Sequence, residues 1–459
     1  MDSEPLYQKL PVFAQNWACS LEGWRIQRTR FNANFEQLLP KVEERLNWST
    51  EQLLNYRHER LHRFMAHCFA TVPYYRQLAQ KRGLTANDFL TLADLAKLPI
   101  LTKEVVQAHY QAFLSEVVPA GQRVMIHTSG TTGGGLRFAT TLAAIQEQWA
   151  VWVRYRRLHG LEQGVWCGYF GGRSVVPLRQ TKPPFWRLNR PGKQILFSAY
   201  HLSPERVPLY LAQLNERQPP WLHGYPSILA LLANTMQEKE LRLNYQPRWI
   251  TIGAENLLPQ QANLIEAVFG LKPIQHYGMA EAVANFSQFP DGNLYVDEDF
   301  AAVEFIPNPA GIGYKVIGTN FTNPATPLVR YEVGDVVDLP AEPQFGPGRR
   351  VLSVDGRQED YIILSNGAIL GRMDHIFKDM MAIREAQLYQ AKPGVIIVRV
   401  VKNESYGSED EQQLLAEFYK RVGDYAEVQI EYVPAIERTT TGKLRFVISD
   451  LKAGALVKS

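Results

Sequence analysis

The run His127-Thr128-Ser129-Gly130-Thr131-Thr132-Gly133-Gly134-Gly135 concentrates glycines and hydroxyls shortly before a helical stretch. Glycine lets backbone amides close around phosphate oxygens, and Ser and Thr hydroxyls add donors without bulk. Such a loop is built to hold an anion. It is not the GxxxxGK[ST] phosphate loop, because no Lys follows the glycines, so kinase or GTPase chemistry is unsupported. Taken alone, the same cluster reads equally as a surface turn. A second segment holds Arg173, Arg179, Arg187 and Arg190 among Phe170, Phe185 and Trp186. These guanidiniums suit phosphates or a polar acid, but solvated arginines are common and no role follows from them.

The elements that must position such groups can be read from periodicity. Residues 122–127 are strand-like, the glycines break the pattern, and Leu142, Ile145, Trp149 and Trp152 resume helical spacing. The order is strand, glycine loop, strand or turn, then helix. Upstream, Leu38, Val42 and Leu46, then Leu61, Phe64, Met65 and Cys68, predict a helical region over 35–83, interrupted near Trp48 and at Pro73. Residues 164–204 are rich in Gly, Pro and aromatics and predict irregular structure on the substrate side. Helices at 204–217 and 227–238 interleave with strands at 249–252, 303–306 and 314–317, which predicts α/β layering. After Asp360 the pattern becomes strand 361–364, helix 374–383, strand 395–401, helix 409–421 and strand 426–432, a compact α+β unit. The boundary is placed at Gly356 to Asp360, giving a multi-subdomain α/β domain over 1–359 and a small domain over 360–459.

Length agrees with two domains, since 459 residues exceed the roughly 250–300 that one core supports. Hydrophobic residues at 46% and charged residues at 21% are ordinary globular values. The net charge of +3 supplies no broad field for nucleic acid or anionic membrane. Cys19, Cys68 and Cys167 are scattered, without disulfide-framework or zinc spacing, and fit a reducing cytosol. The N-terminal MDSEPLYQ lacks a secretory pattern, and no apolar run approaches the ~18 residues of a membrane span.

Seven segments share an order that a chance series would not produce: Thr128 to Gly133, Gly224-Tyr225-Pro226-Ser227, Gly253-Ala254-Glu255, Tyr277-Gly278-Met279-Ala280-Glu281, Arg330-Tyr331-Glu332-Val333-Gly334-Asp335, Gly356-Arg357 leading to Asp360, and Thr441-Gly442-Lys443. With them the chain resembles the adenylate-forming superfamily of acyl-CoA synthetases, aryl ligases and peptide-synthetase adenylation domains. Within it the resemblance is to the phenylacetate–CoA ligase-like branch, including members from capsular-polysaccharide biosynthesis that end in a stretch like Gly442-Lys443-Leu444-Arg445-Phe446-Val447. It covers nearly the whole chain.

The resemblance implies an enzyme that uses ATP and Mg²⁺ to activate a carboxylic acid as its acyl-adenylate. It implies that Thr128, Ser129, Gly130, Thr131, Thr132 and Gly133 hold the β- and γ-phosphates and that Glu281 carries the metal, a hard cation suited to carboxylate and phosphate oxygen. Asp335 falls where the family binds ribose, Arg357 where it reaches ribose or α-phosphate, and Gly253, Ala254, Glu255, Tyr277 and Gly278 where it lines adenine. Trp221, His223, Tyr225, Met279 and Ala280 would line the acyl pocket, with His223 equally readable as structural. Lys443 would bridge carboxylate and α-phosphate from a small, mobile C-terminal domain that enters for one half-reaction and leaves for the next. The bland alternatives are a helix N-terminal charge for Glu281, a surface ion pair for Arg357 and a solvated side chain for Lys443.

Three departures stand out. Gly134 and Gly135 replace the Lys that commonly follows the loop, leaving Arg137 to supply charge; Ala280 replaces the Thr before the metal-binding Glu; and Gln288 and Tyr295 stand where relatives carry Cys and His, so no zinc is expected. The acceptor implied first is coenzyme A. A second reading passes the acyl group to an amine or hydroxyl of a sugar or carrier, and a third, from another class, keeps only nucleotide binding.

Overall fold

The structure is a computed structural model that describes residues 4–128, 136–308, 313–341, 348–355, 362–370, 373–377, 380, 382–402, 406–437 and 446–451. Its central sheet has five strands in the order Trp186–Asn189, Gln194–Ser198, Cys167–Gly171, Trp221–Gly224 and Trp249–Ile252. All neighbours are parallel except the first pair. Three of these strands lie inside 164–204, which the sequence pattern assigned to irregular structure. That expectation was wrong because all three strands are only four or five residues long, and Cys167–Gly171 also carries two glycines, which argue against strand in a pattern reading. Packing demands it here: a Cβ on Gly168 would sit 2.9 Å from a Leu222 methyl, and one on Gly224 would sit 2.8 Å from the Phe170 carbonyl oxygen.

The period-2 geometry of the strands gives the sheet two different faces. Phe170, Leu222, Ile250 and Ile252 bury one face against the helices Val207–Arg217, Pro226–Glu238 and Pro259–Phe269. Cys167, Tyr169, Trp221, His223 and Thr251 alternate with them and look the other way, toward the long helix Leu142–Leu158. That helix follows strands Arg123–His127 and Arg137–Thr141 across the glycine run, as the pattern predicted; residues 129–135 lie outside the described residues. Its N-cap is Thr141, whose Oγ1 accepts from the Ala144 amide.

Two further four-stranded sheets complete this part, one containing His276–Gly278 and Asn285–Gln288, the other Ala301–Pro307, Tyr314–Asn320 and Tyr331–Asp338. The N-terminal helices break where expected. Ser49 and Gln52 form a reciprocal capping box for Thr50–Thr71, Pro73 opens Pro73–Arg82, and Gly83 ends it in the left-handed region at φ 65°. The helix Val12–Arg30, which no periodicity announced, lies along the edge strand Trp186–Asn189, where Asn16 Oδ1 accepts from the Leu188 amide and the Ser20 hydroxyl donates to its carbonyl.

At the C-terminus the strands run Glu427–Tyr432, Val395–Lys402, Ile383–Lys392 and Val447–Ser449 in sheet order, with helix Ser408–Val422. They share a core of their own, built from Ile362 through Val447. The helix predicted over 374–383 is corrected to one short turn, Met373–Phe377, and Ile383 opens a ten-residue strand. Ile376, Phe377 and Met380 have helical spacing, yet they fill that core from the turn. In Ile383–Lys392, Glu, Ala and Gln favour helix, but pairing on both sides overrides local preference.

An ion cluster joins the layers. Arg154 on Leu142–Leu158 is buried and donates to Asp297 Oδ1 and Asp299 Oδ2, both at 2.8 Å. Arg45 reaches Asp299 at 3.2 Å, and Arg57 and Arg349 each reach Glu298 at 2.6 Å. Removing one partner of such a group leaves an uncompensated buried charge, which costs far more than the intact pair contributes. Arg154→Ala should therefore lower unfolding free energy by roughly 3–5 kcal/mol, read as a shifted urea midpoint at constant m. A loss below about 1 kcal/mol, typical of an exposed pair, would mean that water reaches these carboxylates.

Candidate active site

The segments singled out above follow the carboxyl ends of strands: Thr128 follows Arg123–His127, Tyr225 follows Trp221–Gly224, Gly253 follows Trp249–Ile252, and Met279 follows His276–Gly278. Ligands of α/β proteins bind at such ends. Thr128 closes the base of the glycine run, its amide donating to the Leu136 carbonyl at 2.9 Å and its Oγ1 accepting from the Leu136 amide at 3.1 Å. Ser129, Gly130, Thr131, Thr132 and Gly133, together with Arg357, Lys443 and the boundary at Gly356 to Asp360, lie outside the described residues.

Tyr277 and Asp335 meet. The Tyr277 hydroxyl donates to Asp335 Oδ2 at 2.7 Å, and its ring stacks on Phe286 with centroids 4.6 Å apart. Gly334, at φ 84°, makes the bend that delivers Asp335. Glu281 stands in the turn after His276–Gly278, and the backbone is fixed on both sides of it. Gln148 Nε2 donates to the Met279 carbonyl at 2.8 Å, Asn320 Nδ2 donates to the Glu281 carbonyl at 2.9 Å, and Ala282 takes φ 55°. Ala280 is exposed in that turn, whereas Met279 is partly buried. Gly253 leads into Ala254, which is exposed at φ 68°. Glu255 Oε2 accepts from the Ser227 amide at 3.1 Å, at the start of Pro226–Glu238, so this carboxylate serves a helix N-terminus.

Between the polar face of the central sheet and the helix Leu142–Leu158 lies a cluster of aromatic and polar side chains. Trp221 Nε1 donates to Thr251 Oγ1 at 2.7 Å, and His223 Nδ1 bonds the same hydroxyl at 2.8 Å. Tyr169 lies 5.2 Å from the His223 ring, and the Arg156 guanidinium sits 5.0 Å over Trp221. In the same cluster His276 stacks on Tyr155 at 5.0 Å. Asn285 Oδ1 accepts from Trp152 Nε1 at 2.9 Å and from His276 Nε2 at 2.8 Å, while its Nδ2 donates to Asp297. Since a carbonyl oxygen only accepts, His276 carries its proton on Nε2, an assignment made from the network. Tyr225 is set apart from this face, its amide donating to the Phe170 carbonyl as it begins Pro226–Glu238.

Sequence reasoning named Trp221 and His223; the structure gathers Tyr169, Thr251, Arg156, Asn285 and His276 around them without their having been singled out. They come from separate elements, and their only signal was position: Arg156 in an arginine-rich helix end, His276 beside Tyr277. Arg187, to which no role was assigned, is structural, donating to Gln15 Oε1, Gln180 Oε1 and the Pro184 and Trp186 carbonyls.

A parallel-stranded core, flanking antiparallel sheets, a glycine-and-hydroxyl run before a helix and a separate C-terminal core define the fold of adenylate-forming ligases. Among solved structures the chain superposes on 2-hydroxyisobutyryl-CoA ligase in complex with 2-HIB-AMP and CoA with a TM-score of 0.55 at 17% identity, over 88% of this chain and 91% of that one. The chain shares that fold, and in sequence it is similar to protein CapK and to phenylacetate-coenzyme A ligases. It is 24% identical to protein CapK of Staphylococcus aureus over 97% of its own length and 99% of that protein's. It is 26% identical to a phenylacetate-coenzyme A ligase of Aromatoleum evansii over 87% of this chain and 95% of that one. Residues 362–450 match the family described as CapK C-terminal domain.

Burial, reinforced by the Arg156 charge, pushes the His223 imidazole down to about 3. Burial likewise takes His276 to about 4, against its bond to Asn285. Both are neutral in the fold and titrate near 6.5 once unfolded. With folded values depressed, the unfolded chain binds more protons below 6.5, so stability present above that pH is lost as pH falls toward 4. Each contributes a slope of about 1.4 kcal/mol per pH unit. Urea unfolding of wild type, His223→Gln and His276→Gln between pH 7.5 and 5 should show each variant flattening the slope. Parallel curves would mean that the imidazoles are already hydrated in the fold.

Proposed function

We propose that this chain is an ATP-dependent acid:CoA ligase that forms an acyl-adenylate and then a thioester. The observation that carries the reading is the Tyr277–Asp335 hydrogen bond, made across 58 residues of sequence. It sets an aromatic face and a carboxylate side by side, as an adenine and a ribose cis-diol require. The donor types fit a nucleotide: the phenol ring is backed by Phe286, and Asp335 is an acceptor-only group suited to two hydroxyls. Glu281, in its braced turn, is the carboxylate that would hold Mg²⁺, whose charge when bound offsets that of the phosphates. The loop from Thr128 to Gly133 would take the β- and γ-phosphates, and Arg357 would reach ribose or α-phosphate. Gly253, Ala254 and Gly278 would lie along the base with backbone groups.

In this reading residues 1–359 hold both substrates and residues 360–459 act as the lid that brings Lys443. The acid lies against Trp221, His223 and Met279, with Tyr225 and Ala280 at the rim. A carboxylate attacking phosphorus brings two anions together, and Lys443 is the chain's means of neutralising both at once. The separate C-terminal core supports a unit that can move as a body. The alternative acceptor, allowed by the resemblance to capsular-polysaccharide members, is an amine or hydroxyl on a sugar or carrier in place of CoA.

The discriminating assay is acid-dependent pyrophosphate release across a panel of acids, with and without CoA. In it, Asp335→Ala should raise the KM for ATP well above any change in the KM for the acid, because ribose hydroxyls left without an acceptor cost about 1–3 kcal/mol. An unaltered ATP KM removes Asp335 from the nucleotide site.

Lys443→Ala should abolish adenylate formation, by roughly 10²–10³-fold on the scale of lost oxyanion donors, while transfer from supplied acyl-AMP stays near wild type. Synthetic acyl-AMP with CoA, or with amine acceptors, separates the two steps. Equal loss in both would show that the lysine is structural or that the domains do not alternate.

A further inference from the structure

Three guanidiniums gather beside the aromatic cluster, and the acid that acts on two of them, Glu22, is already paired with Arg25. Arg30 ends the helix Val12–Arg30, Arg156 lies near the end of Leu142–Leu158, and Arg173 follows the strand Cys167–Gly171. Among the described residues none of the three forms an ion pair, and Glu22, the acidic side chain nearest in charge, is engaged by Arg25 at 2.8 Å. Arg30 and Arg156 share the Trp149 ring, at 4.0 and 5.8 Å from its centroid, and Arg156 also covers Trp221. Arg156 Nε is buried with no hydrogen-bond partner.

Charges of one sign held together in partial burial repel, and stacking on tryptophan offsets only part of the cost. Burial first, then Arg173 and Arg156, lowers the Arg30 guanidinium to about 10, so the three sense one another. The neighbouring imidazoles of His223 and His276 are neutral and supply no counter-charge. Arg30 and Arg156 are half-buried and Arg173 is exposed, so the cations run from solvent to the aromatic cluster.

Resting on the ligase reading above, we propose that the acid activated here carries a second anionic group, carboxylate or phosphate, which Arg156 and Arg30 receive while Trp221 and Trp149 flank the carbon skeleton. Planar, always-charged forks suit either anion, and a second anion gives the orphaned Nε a partner. A neutral acid of the same size leaves the cluster uncompensated.

The test compares succinate, glutarate and adipate with their monomethyl esters, and 3-phosphoglycerate with glycerate, by kcat/KM for pyrophosphate release. A dianion should exceed its singly charged counterpart by on the order of 10²-fold or more, as for sites built around a polar partner. Arg156→Met, which keeps length and apolar contact with Trp221, should erase most of that preference, bringing each dianion within about threefold of its singly charged counterpart in the same variant; Arg30→Met should act in the same direction. The diacid and phosphate arms say which anion is meant. Equal rates for each pair overturn the proposal, as does a loss in Arg156→Met shared by charged and neutral acids. So does a loss confined to the KM for CoA, which would assign the cations to the acceptor's phosphates. Should no acid drive pyrophosphate release, the ligase reading fails separately, and calorimetric titration of the same dianions without ATP decides: binding lost in both variants supports the anion site, and no binding to wild type overturns it.

Discussion

Three consecutive acids, Asp297, Glu298 and Asp299, are buried, and much of the molecule is arranged to compensate them. Burial pushes all three carboxyls upward. Arginines pull Glu298 and Asp299 back below their ordinary range, whereas Asp297, beside Asp299, is left at about 6. The compensating cations come from the N-terminal helices, from Leu142–Leu158 and from Arg349, so the charges can be satisfied only when these elements are docked together. A buried ion group is a poor source of stability, but it penalises every arrangement that leaves one member unpaired.

That constraint reaches the site through Asn285. Asp297 accepts from Asn285 Nδ2, and the carbonyl of the same amide orients Trp152 and His276. A structural cluster therefore sets the tautomer of one imidazole on the polar face of the sheet and the tilt of an indole beside it. The proposed nucleotide side is held by shorter means, the Tyr277–Asp335 bond and the braced turn of Glu281.

Where an element carried its own signal, the sequence told its structure. Ser49, Pro73 and Gly83 mark helix ends because capping chemistry is local, and Trp249–Ile252 reads as a strand because its residues favour one. Cys167–Gly171 did not, since its glycines answer to Leu222 in a strand more than fifty residues away in sequence. Ile383–Lys392 failed for the opposite reason, helix-forming residues held in a sheet by neighbours on both sides. Tyr277, Asp335 and Glu281 were named from the motif series, and the structure brings the first two together. The wall made by Tyr169, Thr251, Arg156 and His276 was not, because it exists only after four elements meet.

The helix Leu142–Leu158 has a further consequence. Gln148 grips the Met279 carbonyl, just ahead of Glu281, and Arg156 lies over Trp221. Their positions differ by 156 − 148, or about 12 Å of axis at about 1.5 Å per residue. Arg154, anchored between them, prevents the rod from sliding or turning. The helix is thus a ruler: the span between the Glu281 turn and the Trp221 side of the central sheet is fixed by backbone pitch, a length that does not yield.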